Sequence, residues 1–217
     1  MSKVIVFDWM SLDGVVQAPA YSDEDTSGGF KHGGWHAQYF EERSMKWLAE
    51  NLNGAGGFLL GRRTYQVFAA HWPKASQEEQ TLAQPLNTLP KYVASRTLQE
   101  PLVWQNSRLL DNPIAESVAK LRRQDGGNLL VIGSTELAAA LLAHDLVDEL
   151  RLMIDPVILG GGKRFFRQDG ACLPLALSMS ETTATGAILA TYVRLSADPL
   201  VASSAALLPR PPRVRGR

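Results

Sequence analysis

Short apolar runs alternate with amphipathic segments along most of the chain. Continuous apolar runs predict buried strands, and apolar positions that recur every three or four residues predict helices. The predicted strands cover residues 4–9, 57–60, 91–94, 102–104, 128–132 and 149–154, and the predicted helices cover 36–52, 63–70, 113–123 and 135–143. Because strands and helices alternate, the pattern predicts an α/β fold with a mostly parallel sheet flanked by helices.

The pattern changes towards the C-terminus. Two runs of alternating apolar and polar residues, 175–182 and 187–195, predict an antiparallel hairpin that turns at Thr185 and Gly186, so the predicted sheet is mixed. Residues 197–217 are rich in Ala, Ser, Pro and Arg without periodicity, which predicts a disordered tail. A chain of 217 residues, 45% of them hydrophobic, can bury one core, and we expect one domain over residues 1–196.

A long polar segment, residues 17–34, separates the first strand from the first helix. It contains Asp23, Glu24, Asp25 and four glycines, which predicts a surface loop that moves. A loop of this length inside a compact domain is typically a lid or a binding loop, and disorder is the alternative.

Three predicted strands end in turns that are suited to binding an anion. The turns are Gly61-Arg62-Arg63-Thr64, Ser95-Arg96-Thr97 and Gly133-Ser134-Thr135. Glycine lets the backbone approach a phosphate, a helix N-terminus presents free amides, and arginine donates to two phosphate oxygens at once. Three such turns predict a ligand with several phosphates, and the arginines favour NADP over NAD. The alternative is that these residues only turn the chain and cap helices.

The amino-acid composition limits the kinds of partner that this protein is expected to bind. The 22 basic and 22 acidic side chains balance, but four of the arginines lie in the last nineteen residues, so the rest of the chain is slightly acidic. That balance argues against a nucleic-acid partner. No apolar run is long enough for a signal peptide or a membrane span, and we expect a cytoplasmic protein without a membrane partner.

Residue types that bind metals or act as nucleophiles are sparse. Cys172 is the only cysteine and precedes an apolar strand, which predicts a small buried side chain and no disulfide. His32 and His36 are separated by Gly33 and Gly34, so they do not form a helical pair of ligands, and we expect no metal site. The glycines at 54, 56 and 57 precede a strand, and the sequence around Gly162 lacks the Ser or Thr of a phosphate loop, which excludes the two common nucleotide motifs.

Several segments of the chain resemble one known family. They are Ser11-Leu12-Asp13-Gly14, Leu60 to Tyr65, Val93 to Leu98, Ile132-Gly133-Ser134, and Leu146 to Leu150 continuing to Pro156 to Gly162. Together they resemble the C-terminal reductase domain of the bifunctional riboflavin-biosynthesis deaminase-reductase, which has the dihydrofolate reductase-like fold. The resemblance extends from about Lys3 to Leu195, and its last segment is the most specific.

The resemblance implies NADPH as cofactor, a mixed sheet of about eight strands, a homodimer and a small-molecule substrate. It also implies roles for individual residues. One side of the pyrophosphate would be held by Gly61, Arg62, Arg63 and Thr64, and the other side by Gly133, Ser134, Thr135 and Leu137. The adenosine 2′-phosphate would be held by Ser95, Arg96 and Thr97. The nicotinamide end would be contacted by Asp13 and Gly14, and the substrate mouth would be formed by Gly161 and Gly162.

Three features of the sequence limit which activity and substrate are expected. The chain has no His-x-Glu motif or paired cysteines, so the zinc deaminase half of the bifunctional enzyme is absent. Ser44 stands where dihydrofolate reductases carry a carboxylate on their first long helix, which argues against folate reduction. The acids of residues 17–34 would also repel a phosphosugar unless they point away.

The hypothesis is a reductase in which NADPH delivers hydride to a C=O or C=N carbon. Asp13 is the predicted catalytic residue, which orients the substrate or relays a proton; it can donate only if burial raises its pKa. Trp35, with His36 and Tyr39, would form an aromatic wall for the substrate, and core packing is the alternative. The alternative functions are a dihydrofolate reductase-type activity and a non-catalytic NADP-binding protein.

Overall fold

Eight strands form one mixed sheet in the computed structural model, which describes residues 1–166 and 172–195. The strands are β1 (Val4–Ser11), β2 (Ala55–Gly61), β3 (Lys91–Ala94), β4 (Ser107–Leu109), β5 (Asn128–Ile132), β6 (Glu149–Asp155), β7 (Leu175–Thr182) and β8 (Ile188–Arg194). Their order across the sheet is β4-β3-β2-β5-β1-β6-β8-β7. Strands β1 to β6 pair in parallel, and β8 is antiparallel to both β6 and β7. The predicted mixed sheet with a C-terminal hairpin is confirmed; the predicted tail, residues 197–217, lies outside the described residues.

Five α-helices within the described residues cover the two faces of the sheet. They are α1 (Glu42–Asn53), α2 (Arg62–His71), α3 (Gln80–Thr88), α4 (Ile114–Arg122) and α5 (Thr135–Ala143). Side chains alternate along each strand, so Ile5 and Phe7 of β1 pack in the core under α1 to α3, while Val4 and Val6 pack under α4 and α5. Each of these buried side chains contributes about 1.5–3 kcal/mol relative to an exposed one.

The carboxyl ends of the parallel strands lie at one edge of the sheet. From β1 the chain passes through α1 to β2 on one side, whereas from β5 it passes through α5 to β6 on the other side. Strands β1 and β5 are neighbours. The connection that leaves β1 runs towards one end of the strand order, and the connection that leaves β5 runs towards the other end. Open α/β sheets bind ligands in the crevice at such a point.

The first helix begins later than its apolar pattern predicts. Residues 37–39 form a short 3₁₀ turn, and α1 starts at Glu42 after a reciprocal capping arrangement between Glu41 and Ser44. The Ser44 hydroxyl lies 2.9 Å from the Glu41 carbonyl, and the Glu41 amide donates to it at 2.8 Å. This cap fixes the helix start, which periodicity alone does not show.

The strand predicted at 102–104 is wrong. The edge strand is β4, a few residues later, and Val103 is 91% exposed. Trp104 is buried, but its amide donates to the Tyr65 hydroxyl at 3.0 Å and its indole nitrogen donates to Asn87 Oδ1 at 2.8 Å. These bonds to side chains replace those of a strand ladder.

Cys172 is exposed, which corrects the predicted burial of its side chain. It lies before β7, the outermost strand of the hairpin, whose residues are mostly half-buried or exposed. The apolar run that follows Cys172 indicated a covered strand, but the position of β7 at the edge of the sheet leaves its surroundings open.

Candidate functional site

The N-termini of α2 and α5 meet at the carboxyl edge of the sheet. The Gly61 amide donates to Ser134 Oγ at 2.9 Å, and Ser134 Oγ lies 3.0 Å from Thr64 Oγ1. Thr64 Oγ1 in turn donates to the Gly133 carbonyl at 2.8 Å. Gly133 adopts φ +58°, a conformation that glycine enters without strain. The structure thus joins two of the three predicted anion turns.

These two turns are not ordinary side-chain caps. Gly61 and Ser134 are the residues that precede α2 and α5, and neither forms a side-chain capping hydrogen bond. The first-turn amides of both helices are therefore left for another acceptor, and the helix dipoles favour a negative one. Arg62 and Arg63 are exposed in the first turn of α2. This donor set suits a pyrophosphate and disfavours the capping-only interpretation.

The third turn lies beside the first, because β3 is the neighbour of β2. Ser95 Oγ accepts the amides of Thr97 at 3.1 Å and Leu98 at 3.0 Å, so its hydroxyl holds the turn itself. The side chain of Arg96 is exposed. Arg96 is therefore the group of this turn that can reach a phosphate.

Two predicted contacts are buried side chains. Leu137 of α5 is 7% exposed and packs in the core with Val131, so it could meet a cofactor only through its backbone. Thr135, at the start of α5, is half-buried. Trp35 is 5% exposed, packs against Val15, and donates its indole N–H to the Gln17 carbonyl at 2.8 Å. For Trp35 the core-packing alternative describes the structure.

Asp13 is an anchor rather than a proton donor. Its carboxylate accepts from Ser11 Oγ at 2.7 Å and from the amides of Leu159 and Gly160 at 3.1 and 3.0 Å. Burial would raise the pKa of Asp13, but these hydrogen bonds outweigh that effect and hold the pKa below its usual value. An ionised carboxylate accepts only, so the proton-relay role predicted for Asp13 does not fit this geometry.

A cleft of about 560 Å³ opens beside the Asp13 anchor. It is lined by Gln17, Ser27 to His32, Leu159, and Gly161 to Lys163. The predicted substrate residues Gly161 and Gly162 are part of this lining, and the predicted cofactor residue Gly14 lies near it, because the Gly14 carbonyl accepts the Phe165 amide at 2.9 Å. The described lining contains Lys31 and Lys163 but no carboxylate; because Lys163 Nζ is paired with Asp25, Lys31 is the residue that favours an anionic or neutral ligand over a cation.

The loop of residues 17–34 lies on the surface, as predicted, and is closed by hydrogen bonds at its base. The Gly34 amide donates to the Ala18 carbonyl at 2.9 Å. Glu24 accepts the amides of Ala20 and Tyr21 at 2.9 and 3.4 Å, so its carboxylate is directed back into its own loop. Glu24 is therefore expected to repel a phosphate group of a ligand less than a free surface carboxylate would.

Asp8 is a candidate residue that sequence reasoning missed. It lies on β1 with 2% exposure, and since Phe7 pairs with Ile132, Asp8 stands across from Gly133 at the crevice between β1 and β5. Burial raises the pKa of Asp8 to about 8, with a further contribution from the charge of Glu24 and an opposing one from the Trp9 amide. The sequence contained one signal for this site, namely an acidic residue inside an otherwise apolar predicted strand.

A second buried pair joins the segment before α1 to the end of β6. His36 Nδ1 lies 2.8 Å from Asp155 Oδ2, and the two side chains are 8% and 0% exposed. Burial raises the pKa of Asp155, and the hydrogen bond with His36 opposes the shift. Trp9 contacts the imidazole in a tilted arrangement and Phe40 in an edge-on one, with ring centroids 5.5 and 5.3 Å away. His36 therefore fixes this segment to the sheet instead of lining an open wall.

The sheet order, the hairpin and the crevice at the strand ends define a dihydrofolate reductase-like α/β protein. The family model of the RibD C-terminal domain matches residues 2–189. The chain therefore belongs to the RibD C-terminal domain family.

Relatives and solved structures agree with this assignment. The uncharacterized protein YyaP of Bacillus subtilis is 29% identical over 143 residues, which cover 65% of this chain and 75% of that protein. A crystal structure of a protein assigned to riboflavin biosynthesis from Shewanella sp. PV-4 superimposes with a TM-score of 0.63 at 22% identity, covering 89% of this chain and 99% of the other. These structures share the fold.

A third match is a longer enzyme. The diaminohydroxyphosphoribosylaminopyrimidine deaminase/5-amino-6-(5-phosphoribosylamino)uracil reductase of Thermotoga maritima has a TM-score of 0.61 at 15% identity; the match covers 89% of this chain and 57% of that enzyme. The rest of that enzyme lies outside the region that matches this chain. No helix in residues 1–166 and 172–195 is long and apolar enough to cross a membrane.

Proposed function

We propose that the protein is an NADPH-dependent reductase that acts on a C=O or C=N group of a small heterocyclic or sugar-derived substrate. The observation that carries this proposal is the contact between Gly61 and Ser134, which brings two uncapped helix N-termini together at the crevice edge. Such an arrangement suits a ligand with a pyrophosphate. Family membership supports the reductase activity.

The residues at the edge divide the binding of NADPH between them. The first-turn amides of α2 and α5, with Arg62 and Arg63, would hold the pyrophosphate, and Arg96 would hold the 2′-phosphate. When bound, NADPH supplies the hydride and the chain supplies orientation and exclusion of water. Asp13 would keep the Leu159–Gly160 turn in place beside the nicotinamide end.

Asp8 is better suited than Asp13 to hold the proton that the reduced heteroatom requires. With a pKa of about 8 it is mainly protonated at neutral pH, and a protonated carboxyl can donate. Asp13 has its pKa shifted in the opposite direction. Asp13 would therefore position the loop, and Asp8, which is buried at the crevice and outside the cleft lining, is the carboxyl that holds a proton at neutral pH.

The cleft favours a substrate with an anionic or polar end. Lys31 and Lys163 line it, Lys163 being paired with Asp25, and the carboxylate of Glu24 is bound by amides of its own loop. Folate is less suited, because the Ser44 hydroxyl on α1 is engaged in the helix cap with Glu41. We therefore expect 5-amino-6-(5-phosphoribosylamino)uracil or a similar compound to be a better substrate than dihydrofolate.

The test is oxidation of NADPH in the presence of each compound, followed at the nicotinamide absorbance. The proposal expects turnover with the aminouracil and little with dihydrofolate. Asp13→Ala should lose turnover while NADPH binding is retained. A protein that binds NADPH but reduces none of a panel of carbonyl and imine compounds would instead be the non-catalytic NADP-binding protein.

The proposal includes a homodimer, as family resemblance implies. The hairpin of β7 and β8 leaves Leu177 and Ile188 exposed at 55% and 40%, which is compatible with a covered surface in an assembly. Light scattering coupled to size-exclusion chromatography should give twice the mass of one chain. A mass equal to one chain would exclude the dimer.

A further inference from the structure

Asp25 stands between the proposed phosphate turn and the substrate cleft. Its Oδ2 lies 2.5 Å from Lys163 Nζ and 3.8 Å from a guanidinium nitrogen of Arg63. Lys163 lines the cleft, and Arg63 belongs to the first turn of α2. One carboxylate therefore contacts a cation of each site.

The position of Asp25 is fixed by a buried amide. Gln17, 4% exposed, donates through Nε2 to the carbonyls of Asp25 and Ser27, each at 2.9 Å. Gln17 Oε1 accepts the Lys163 amide at 2.9 Å. The backbones on either side of the Asp25–Lys163 ion pair are thus held by the same side chain, and the pair is part of the fold of this loop.

The loop must cross the crevice to make these contacts. Arg63 follows β2, whereas Lys163 pairs with Val16, which follows β1. Strand β5 lies between β2 and β1 in the sheet. Asp25 therefore extends over the carboxyl ends of β5 and β1, where the cofactor is proposed to bind.

We infer that Asp25 competes with phosphate-bearing ligands for Arg63 and so sets how tightly the cofactor turn binds them. This inference rests on the proposed function, because it assigns Arg63 to a phosphate. A guanidinium attracts carboxylate and phosphate oxygens through the same donors and the same charge, so the nearby Asp25 carboxylate weakens the attraction of Arg63 for a phosphate. Asp25 thus limits the affinity of this turn for phosphate-bearing ligands.

The strengths of the two contacts agree with this role. Arg63 is 66% exposed at its side chain and its contact with Asp25 is long, so a phosphate can displace Asp25 from it at small cost. Lys163 holds Asp25 more closely and keeps the carboxylate nearby. Partial burial would raise the pKa of Asp25, but hydrogen bonds from Lys163 and Ser27 lower it to about 2, so the competing charge is present at all working pH values.

The test is Asp25→Asn, with NADPH and inorganic pyrophosphate as probes. Asparagine can still accept from Lys163 and from the Ser27 amide, so the loop should keep its fold. We expect both probes to bind about two- to fivefold more tightly, which is the range for loss of one partly exposed charge contact. Asp23→Asn is the matched control, because Asp23 is exposed in the same loop and takes part in none of the ion pairs within the described chain.

A double-mutant cycle with Arg63→Ala assigns the effect to its partner. If Asp25 acts through Arg63, the gain should disappear in the Arg63→Ala background. A gain that persists there, an equal gain in Asp23→Asn, or no gain at all, including absence of binding in both proteins, overturns the inference.

Different experimental results would overturn the role of Asp25 and the proposed reductase function. NADPH binding by the unmodified protein with no gain in Asp25→Asn removes the inference and leaves the reductase proposal standing. A gain for pyrophosphate without binding of NADPH by any variant removes the reductase proposal and leaves the competition at Arg63 standing.

Discussion

The amide of Gly61 donates to Ser134 Oγ across 2.9 Å, and this bond joins the N-terminus of α2 to that of α5. The bond determines the spacing of the two sets of free amides that are proposed to hold one pyrophosphate. Ser134 is buried, and its Oγ also lies 3.0 Å from Thr64 Oγ1 and 3.1 Å from the Ile132 carbonyl.

Ser134→Ala should therefore weaken NADPH binding about tenfold, which corresponds to roughly 1.4 kcal/mol. The physical reason is that the Gly61 amide loses its acceptor and the spacing of the two turns relaxes. Titration with NADPH, followed by nicotinamide fluorescence, measures the change. Ser107→Ala is the control, since the Ser107 hydroxyl has no partner among the described residues and lies on β4. Equal affinity in Ser134→Ala and the unmodified protein would remove this bond from the site.

Arg96 is expected to distinguish NADPH from NADH. Its side chain is exposed beside the Ser95 turn, which Ser95 Oγ holds in shape. Arg96→Ala should weaken NADPH binding about tenfold and leave NADH binding nearly unchanged, because only NADPH carries the 2′-phosphate. Arg123→Ala, an exposed arginine beyond α4, is the control. Similar losses for both cofactors would place Arg96 elsewhere than at the 2′-phosphate.

Asp8 makes stability depend on pH in a defined direction. Its pKa is about 8 in the folded chain against 3.8 for the ordinary group, so the folded state keeps a proton that the unfolded state loses. The contribution of Asp8 is therefore favourable below pH 4 and is lost as the pH rises from about 4 to about 8. Asp8→Asn should remove this loss and be more stable than the unmodified protein at pH 8.5, by about 2 kcal/mol or more.

Thermal unfolding at several pH values measures this difference. About 2 kcal/mol corresponds to a rise in Tm of roughly 4 °C or more for a domain of this size. The gap between the two proteins should widen from pH 4 to pH 8 and stay constant above that. Parallel curves across the whole range would show that the Asp8 carboxyl is not protonated in the fold at neutral pH.

Lys91 is expected to stabilise the end of α3. Its Nζ donates to the carbonyls of Leu86, Leu89 and Asn87 at 2.8, 3.0 and 3.3 Å, and it lies 4.4 Å from the Trp104 ring centroid. Lys91→Met keeps the aliphatic volume but leaves these buried acceptors without a donor, so it should lower the free energy of unfolding by about 3 kcal/mol. Urea unfolding measures it, with the exposed Lys120→Met as control. A loss below about 0.5 kcal/mol would contradict this role.

The elements that the sequence predicted well are those whose periodicity is local. Helix α5 has the bounds that its apolar pattern predicted, and the turn at Thr185 and Gly186 is present, with the Gly186 amide donating to the Thr183 carbonyl at 3.0 Å. The position of β4 depends instead on bonds from Trp104 to Tyr65 and Asn87, which no local pattern records.

The same distinction between local patterns and long-range contacts applies to the candidate site. Glycine, hydroxyl and arginine residues at strand ends identified the three turns, because the parallel arrangement places those ends at one edge. The insertion of β5 between β2 and β1 is a long-range pairing, so the contact between Gly61 and Ser134 could not be predicted from spacing. The environment of Asp8 and the pairing of His36 with Asp155 likewise depend on strands and loops distant in the sequence.

The most direct measurement is a titration of the purified protein with NADPH and with NADH, followed by nicotinamide fluorescence and tryptophan quenching. We expect NADPH to bind at least tenfold more tightly than NADH, a difference of about 1.4 kcal/mol. Equal affinities would contradict the assignment of a 2′-phosphate site to Arg96. Absence of binding of either cofactor would contradict the reductase proposal itself and leave the three turns without a nucleotide to hold.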